Sequence, residues 1–94
     1  MKWYIKSSSI DATRRYDLRP EKDSRQSFYG KAYVEENDDG STTLFSYHTP
    51  VMTRLPDGTY IRHWGGWSNT TGRHIYEFSD IRKPEWDAME VIPY

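Results

Sequence analysis

The chain contains no cysteine, which excludes a disulfide framework and any zinc site built on thiolates, although a histidine–carboxylate site stays open. Long apolar runs are also absent. The opening residues, Met-Lys-Trp-Tyr-Ile-Lys followed by Ser7, Ser8 and Ser9, form neither the apolar stretch of a signal peptide nor a membrane span. A cytoplasmic protein is therefore expected, and the sequon Asn69-Thr70-Thr71 is read as chance. Neither sign of charge dominates, with 13 Lys and Arg against 14 Asp and Glu and a net charge of -1. A protein whose main work is gripping nucleic-acid backbone carries a basic excess, and this one does not. Aliphatic residues are scarce, since Leu, Ile, Val and Phe together number only 15 of 94. At high net charge that content would signal disorder; here four Trp, eight Tyr and three Phe, each able to bury about 150–250 Å², point to a folded domain with an aromatic core. A chain of 94 residues makes one domain with a thin core, burying roughly 60–65% of its unfolded surface.

Organisation along the chain is uneven. Trp3 and Ile5 alternate with polar neighbours and read as a short strand. Residues 11–26 are dense in charge around Pro20 and read as an exposed irregular connection, tacked down by Tyr16 and Leu18. From Lys31 to Glu36 the pattern alternates, with Ala32 and Val34 on one face, and ends at the hairpin signal Asn37-Asp38-Asp39-Gly40. Thr42 to Thr49 is expected to return as its partner, with Phe45 and Tyr47 inward in a parity that runs on through Val51 to Leu55. Pro50 must bend, bulge or end that run, because it has no N–H for the ladder. Pro56-Asp57-Gly58 marks another turn, and Thr59 to Trp64 a further strand. Gly65-Gly66 then ends the strand, where the backbone is expected to take positive φ or to approach another element closely. Ser68 is placed to cap a helix whose stripe is Thr71, Ile75 and Phe78, and Pro84 opens a shorter helix carrying Trp86 and Met89. Val91 to Tyr94 trail as an extended end.

Four constellations bear on function. His48, His63 and His74 are the side chains whose ordinary pKa lies near neutrality; His48 and His63 fall on adjacent expected strands, where Glu77 could complete a metal or acid–base set, against the reading of ordinary histidines. Arg54, Arg62, His63, Arg73 and His74 would form the cleft of a small ribonuclease, a reading the charge balance opposes. Glu35, Glu36, Asp38 and Asp39 crowd one hairpin tip, either as a phosphate mimic filling another protein's nucleic-acid channel or as a solvated turn that discourages edge pairing. Trp64 and Trp67 flank two glycines beside Arg62 and Arg73, either as a stacking platform for bases or as core plugs.

Three stretches carry a likeness: Ser27-Phe28-Tyr29-Gly30-Lys31-Ala32, Leu44-Phe45-Ser46-Tyr47-His48-Thr49-Pro50-Val51, and residues 66–78, Gly-Trp-Ser-Asn-Thr-Thr-Gly-Arg-His-Ile-Tyr-Glu-Phe. They resemble a family of small uncharacterised proteins of phages and mobile elements of Firmicutes and gut bacteria. This chain departs from its pattern at His48, where Asn or Asp is usual, and in residues 11–26 and the tail after Ile81. The resemblance implies a genomic setting and no chemistry. It suggests a non-enzymatic binder of a host protein, such as an inhibitor of a CRISPR-Cas defence complex, in the host cytoplasm. The alternatives are a single-stranded nucleic-acid or RNA-binding module and a small ribonuclease.

The expected architecture is one α+β domain over residues 1–94, a three- to four-stranded antiparallel β-meander with one helix at about 68–79 packed on it and a short C-terminal helix. Residues 27–81 form its family-like core, 1–26 a charged opening segment and 82–94 an extension. No cofactor or metal is expected. The candidate partner-binding residues are Glu35, Glu36, Asp38, Asp39, Arg62, Trp64, Arg73 and His74, and a homodimer through an exposed sheet edge stays open.

Overall fold

The computed structural model describes residues 15–18 and 31–94; the strand expected near Trp3 lies outside them. Five strands, β1 (Arg15–Asp17), β2 (Ala32–Glu36), β3 (Thr42–Ser46), β4 (Thr49–Arg54) and β5 (Tyr60–Arg62), precede α1 (Asn69–Ser79) and α2 (Lys83–Ala88). The strands form one sheet in chain order, each antiparallel to the next. This is the expected α+β meander with two helices, larger by strands that the sequence did not announce.

One of them is β1. Arg15–Asp17, expected as irregular connection, pairs with β2 in the register Arg15↔Glu35 and Asp17↔Tyr33. The other arises from a reversal at Tyr47-His48, where the expected run from Thr42 to Leu55 folds into two strands. Both residues hold positive φ, 58° and 95°, as a tight two-residue hairpin loop requires. No Gly, Asn, Asp or Pro signals that turn. His48 thus holds a left-handed conformation that Asn and Asp tolerate best after glycine.

Inward parity also differs from expectation. Leu44 and Ser46, not Phe45 and Tyr47, join Ala32 and Val34 on the helix-covered face. Along β4 the parity also shifts at a bulge, since Leu44 opposes Met52 while Phe45 opposes Pro50, leaving Val51 extra. Proline's missing N–H is accommodated there, and Val51 and Met52 are both buried in breach of strict alternation.

Helix α1 begins where Ser68 Oγ accepts the Thr71 N–H at 3.1 Å. It ends at Asp80, held at φ 65° with its N–H on the Tyr76 carbonyl. Thr71, His74, Ile75 and Phe78 turn inward. They close a core of Val34, Leu44, Val51, Met52, Ile75, Phe78, Ile81 and Trp86, with Tyr60, Trp64, Trp67 and Met89 packed around it. Among the described residues the aromatic side chains are spread, with Phe78 and Trp86 in the core, Tyr60, Trp64 and Trp67 at its margin, and Tyr16, Tyr47 and Tyr94 exposed. No helix among the described residues is long and apolar enough to cross a membrane.

Gly72, in the interior of α1, is there for packing, since a Cβ would lie 2.5 Å from Cζ2 of Trp67. Ordinarily Gly→Ala within a helix gains about 1 kcal/mol. Here Gly72→Ala is expected to lose about 1–3 kcal/mol through overpacking, measured by urea unfolding, with the loss relieved in a Gly72→Ala/Trp67→Leu double variant. At the hairpin, His48→Gly relieves left-handed strain and should raise stability by about 1 kcal/mol in the same assay.

Candidate functional site

The corner after β5 is built around Arg62. Strand alternation puts its side chain on the helix side with Met52, its partner on β4, and only 6% of its surface is exposed. Its guanidinium donates to four carbonyls: Nε to Trp64 at 2.9 Å, Nη2 to Gly65 at 2.9 Å, and Nη1 to Trp86 at 2.6 Å and Met89 at 3.1 Å. It also stacks 4.7 Å from the centre of the Trp86 ring. Trp86 in turn donates its indole N–H to Gly66 at 2.8 Å. Gly65 and Gly66 keep ordinary φ, as Gly40 and Gly58 are the positive-φ glycines among the described residues. Close approach is the reason at Gly66, where a Cβ would sit 2.6 Å from Cζ2 of Trp64. Arg62 and the half-buried Trp64 are thus bound into the fold, and Trp67 takes the core-plug alternative, packing at the core margin tilted against Trp86.

His74 is wholly buried. Its Nδ1 lies 2.9 Å from Ser46 Oγ, which lies 2.9 Å from Thr71 Oγ1. This polar knot ties α1 to β3. Burial, reinforced by the positive charges of Arg73 and Lys31, pushes the imidazole pKa down to about 4. His74 therefore cannot touch a partner directly, while Arg73, half-buried on the same helix, lies nearer the surface.

The four hairpin carboxylates divide. Glu35 pairs with Arg15 at 2.7 Å. Asp39 Oδ1 accepts the Ser41 N–H at 2.9 Å and hydroxyl at 2.6 Å, and these bonds hold its pKa below the usual value. It closes the turn. Glu36 and Asp38 are exposed.

On the sheet face away from the helices, a hydrogen-bonded ladder runs from the β2–β3 turn across β3 and β4 to His63, just after β5. Asn37 Nδ2 donates to Ser41 Oγ and Thr43 Oγ1; Thr43 and Thr53 hydroxyls meet at 2.9 Å; and Thr53 Oγ1 lies 2.7 Å from His63 Nε2. His63 Nδ1 lies 2.7 Å from the Ile92 carbonyl oxygen. Since a carbonyl only accepts, Nδ1 carries the proton, and in the neutral imidazole Nε2 then accepts from Thr53. Beside the ladder, Tyr33 and Phe45 stack at 4.9 Å with planes 4° apart, the spacing of adjacent strands. Arg15 covers the far side of Tyr33 at 4.8 Å, and Tyr94 meets Phe45 and His63 edge-on at 5.9 and 5.0 Å. Between the ladder and Ile92, Pro93 and Tyr94 lies a cleft of about 370 Å³.

These positions separate the residues that sequence reasoning grouped. His63 is on the outer face, whereas Glu77 is on α1, which packs against the inner one, and His48 sits at the hairpin reversal. The residues of the alternative ribonuclease cleft are likewise divided by the sheet, with Arg62 and His74 inside, Arg54 stacked 5.0 Å from Phe78, and His63 outside. No group of three or more metal-binding side chains gathers among the described residues. Sequence reasoning missed Asn37, Thr43, Thr53 and Tyr94. A threonine at matching rungs of β3 and β4 was a usable sign for two of them.

A family model matches residues 16–88. The chain belongs to DUF8033, a family of unknown function. No curated protein and no solved structure matches it. The DUF8033 match spans the sheet from β1 to β5, the corner and both helices, and stops before the segment 91–94 that covers the cleft.

The pH dependence follows from His74. Its folded pKa of about 4 lies below the ordinary 6.5, so the unfolded chain binds the proton more readily. Stability is complete above about pH 6.5 and falls as pH drops toward 4, by roughly 3 kcal/mol in all. Urea unfolding between pH 7 and 4 should show this slope, and a His74→Gln variant should show it flattened.

Proposed function

We propose that this DUF8033 protein is a non-enzymatic binding protein whose ligand is another protein. The observation that carries this reading is the edge-on, mutually stacked arrangement on the outer face. A platform for bases needs open ring faces and nearby positive charge. Here Tyr33 has Phe45 on one face and Arg15 on the other, and the Arg15 charge is matched by Glu35. Asp17 shares that face through its register with Tyr33, which weakens attraction for phosphate further. Thr53 and His63 have the spacing of a nucleophile and its base, yet the Thr53 hydroxyl also bonds Thr43 and the other imidazole nitrogen holds the Ile92 carbonyl. They read as a structural ladder.

What projects outward suits a protein partner: the carboxylates Glu36 and Asp38 and the exposed apolar side chains Tyr47, Val91, Ile92 and Tyr94. Together with the resemblance to phage and mobile-element proteins, this favours a host protein as partner, and a CRISPR-Cas complex as the first to test. Tagged full chain incubated with nuclease-treated host lysate is expected to retain a discrete protein, identified by mass spectrometry. Recovery should drop at least tenfold with a Glu36→Lys/Asp38→Lys variant of unchanged stability. Recovery of nucleic acid alone, or of a protein only when nuclease is omitted, would contradict the reading.

A further inference from the structure

We infer that the seat of residues 91–94 is a docking cleft for an extended apolar peptide of the partner, and that this segment is its resident stand-in. The inference rests on the protein-binding reading above. The seat has two parts. At the outer edge of β5, Val91 bridges Arg62 in parallel, and the Ile92 N–H donates to the Arg62 carbonyl at 2.7 Å. From that edge the segment passes onto the outer face, where His63 holds the Ile92 carbonyl at 2.7 Å and the Tyr94 ring rests against His63 and Phe45. Backbone bonds along an edge with side chains placed in an adjoining cleft are the elements of strand addition.

The stand-in is held loosely. Val91, Ile92 and Tyr94 keep 42%, 45% and 63% of their surface exposed, so little apolar burial opposes their release. It is also undersized, because a cleft of about 370 Å³ persists between it and Thr43, Thr53, Ile61 and His63. The seat lies within the residues that the family model matches and the occupant outside them. These features describe the ligand: an extended segment running parallel to β5, carrying an aromatic side chain at the position of Tyr94 and one bulkier than proline at that of Pro93.

The inference is tested on the full chain. In an Ile92→Pro/Tyr94→Ala variant, the N–H on the Arg62 carbonyl and the ring on His63 are removed, which vacates the seat while leaving the core untouched. A fluorescent peptide Glu-Val-Ile-Pro-Tyr is expected to bind this variant at least tenfold more tightly than the wild type, and Glu-Val-Ile-Phe-Tyr more tightly still. Equal affinity for both chains, no binding to the folded variant, or a peptide-independent dimer of the variant would overturn it. Hydrogen exchange of the wild type gives an independent check: the Ile92 amide should exchange at least a hundredfold faster than that of His63, which bonds Val51 within the sheet, and equal protection would also overturn it. A lysate partner retained while the peptide fails would sink the cleft alone; absence of any protein partner would sink the binding reading itself.

Discussion

A guanidinium taken out of water must find its compensation inside the protein, and at Arg62, where no carboxylate among the described residues pairs with it, four carbonyl oxygens supply it. Two belong to the corner just after β5 and two to the end of α2 and the turn beyond it. One side chain therefore fixes the angle at which the chain leaves the sheet and the position to which it returns 24 residues later. Only a planar fork with several fixed N–H groups can serve four acceptors in this way; a lysine ammonium could not. Trp86, covered by that fork and bonded to Gly66, is the largest wholly buried side chain among the described residues, so the corner and the core are held by the same contacts.

The sheet then divides the polar chemistry in two. Inside, His74, Ser46 and Thr71 join α1 to β3 at the cost of an imidazole kept neutral by burial. Outside, the threonines of β3 and β4 pass a directional chain of hydrogen bonds to His63 and from it to the closing segment. Both sets tie separate elements together, which rigidifies a thin core, and inside only Nδ1 of His74 is bonded, its buried Nε2 having no hydrogen-bond partner among the described residues. At the surface stand the carboxylates Glu36 and Asp38 of one hairpin and the exposed apolar residues Val91, Ile92 and Tyr94 near the β5 edge.

Coupling between these regions runs through Arg62 as well. Its side chain holds the corner, while its backbone carbonyl receives the closing segment. A partner strand at that edge would thus dock on the most firmly anchored residue of the corner, where the binding energy need not be diverted into ordering the receptor.

Much of the local structure was written in short-range patterns. Ser68 as cap, the Thr71, Ile75 and Phe78 stripe, Pro84 at the start of α2, and the Asn37–Gly40 and Pro56–Gly58 turns are each legible because capping, periodicity and turn chemistry act over a few residues. The reversal at Tyr47-His48 was not, since neither residue advertises positive φ and only pairing of β3 with β4 holds it there. Nor was β1, whose three residues take strand geometry in pairing with β2. The candidate residues fared likewise: Arg62 and His74 carry the same side chains whether they meet a partner or a core, and burial decided for the core. By itself the sequence determined an α+β domain closed by a glycine corner. Which face each histidine and arginine occupies, and that a cleft lies beneath residues 91–94, was decided by tertiary packing, because these depend on contacts between residues far apart in the chain.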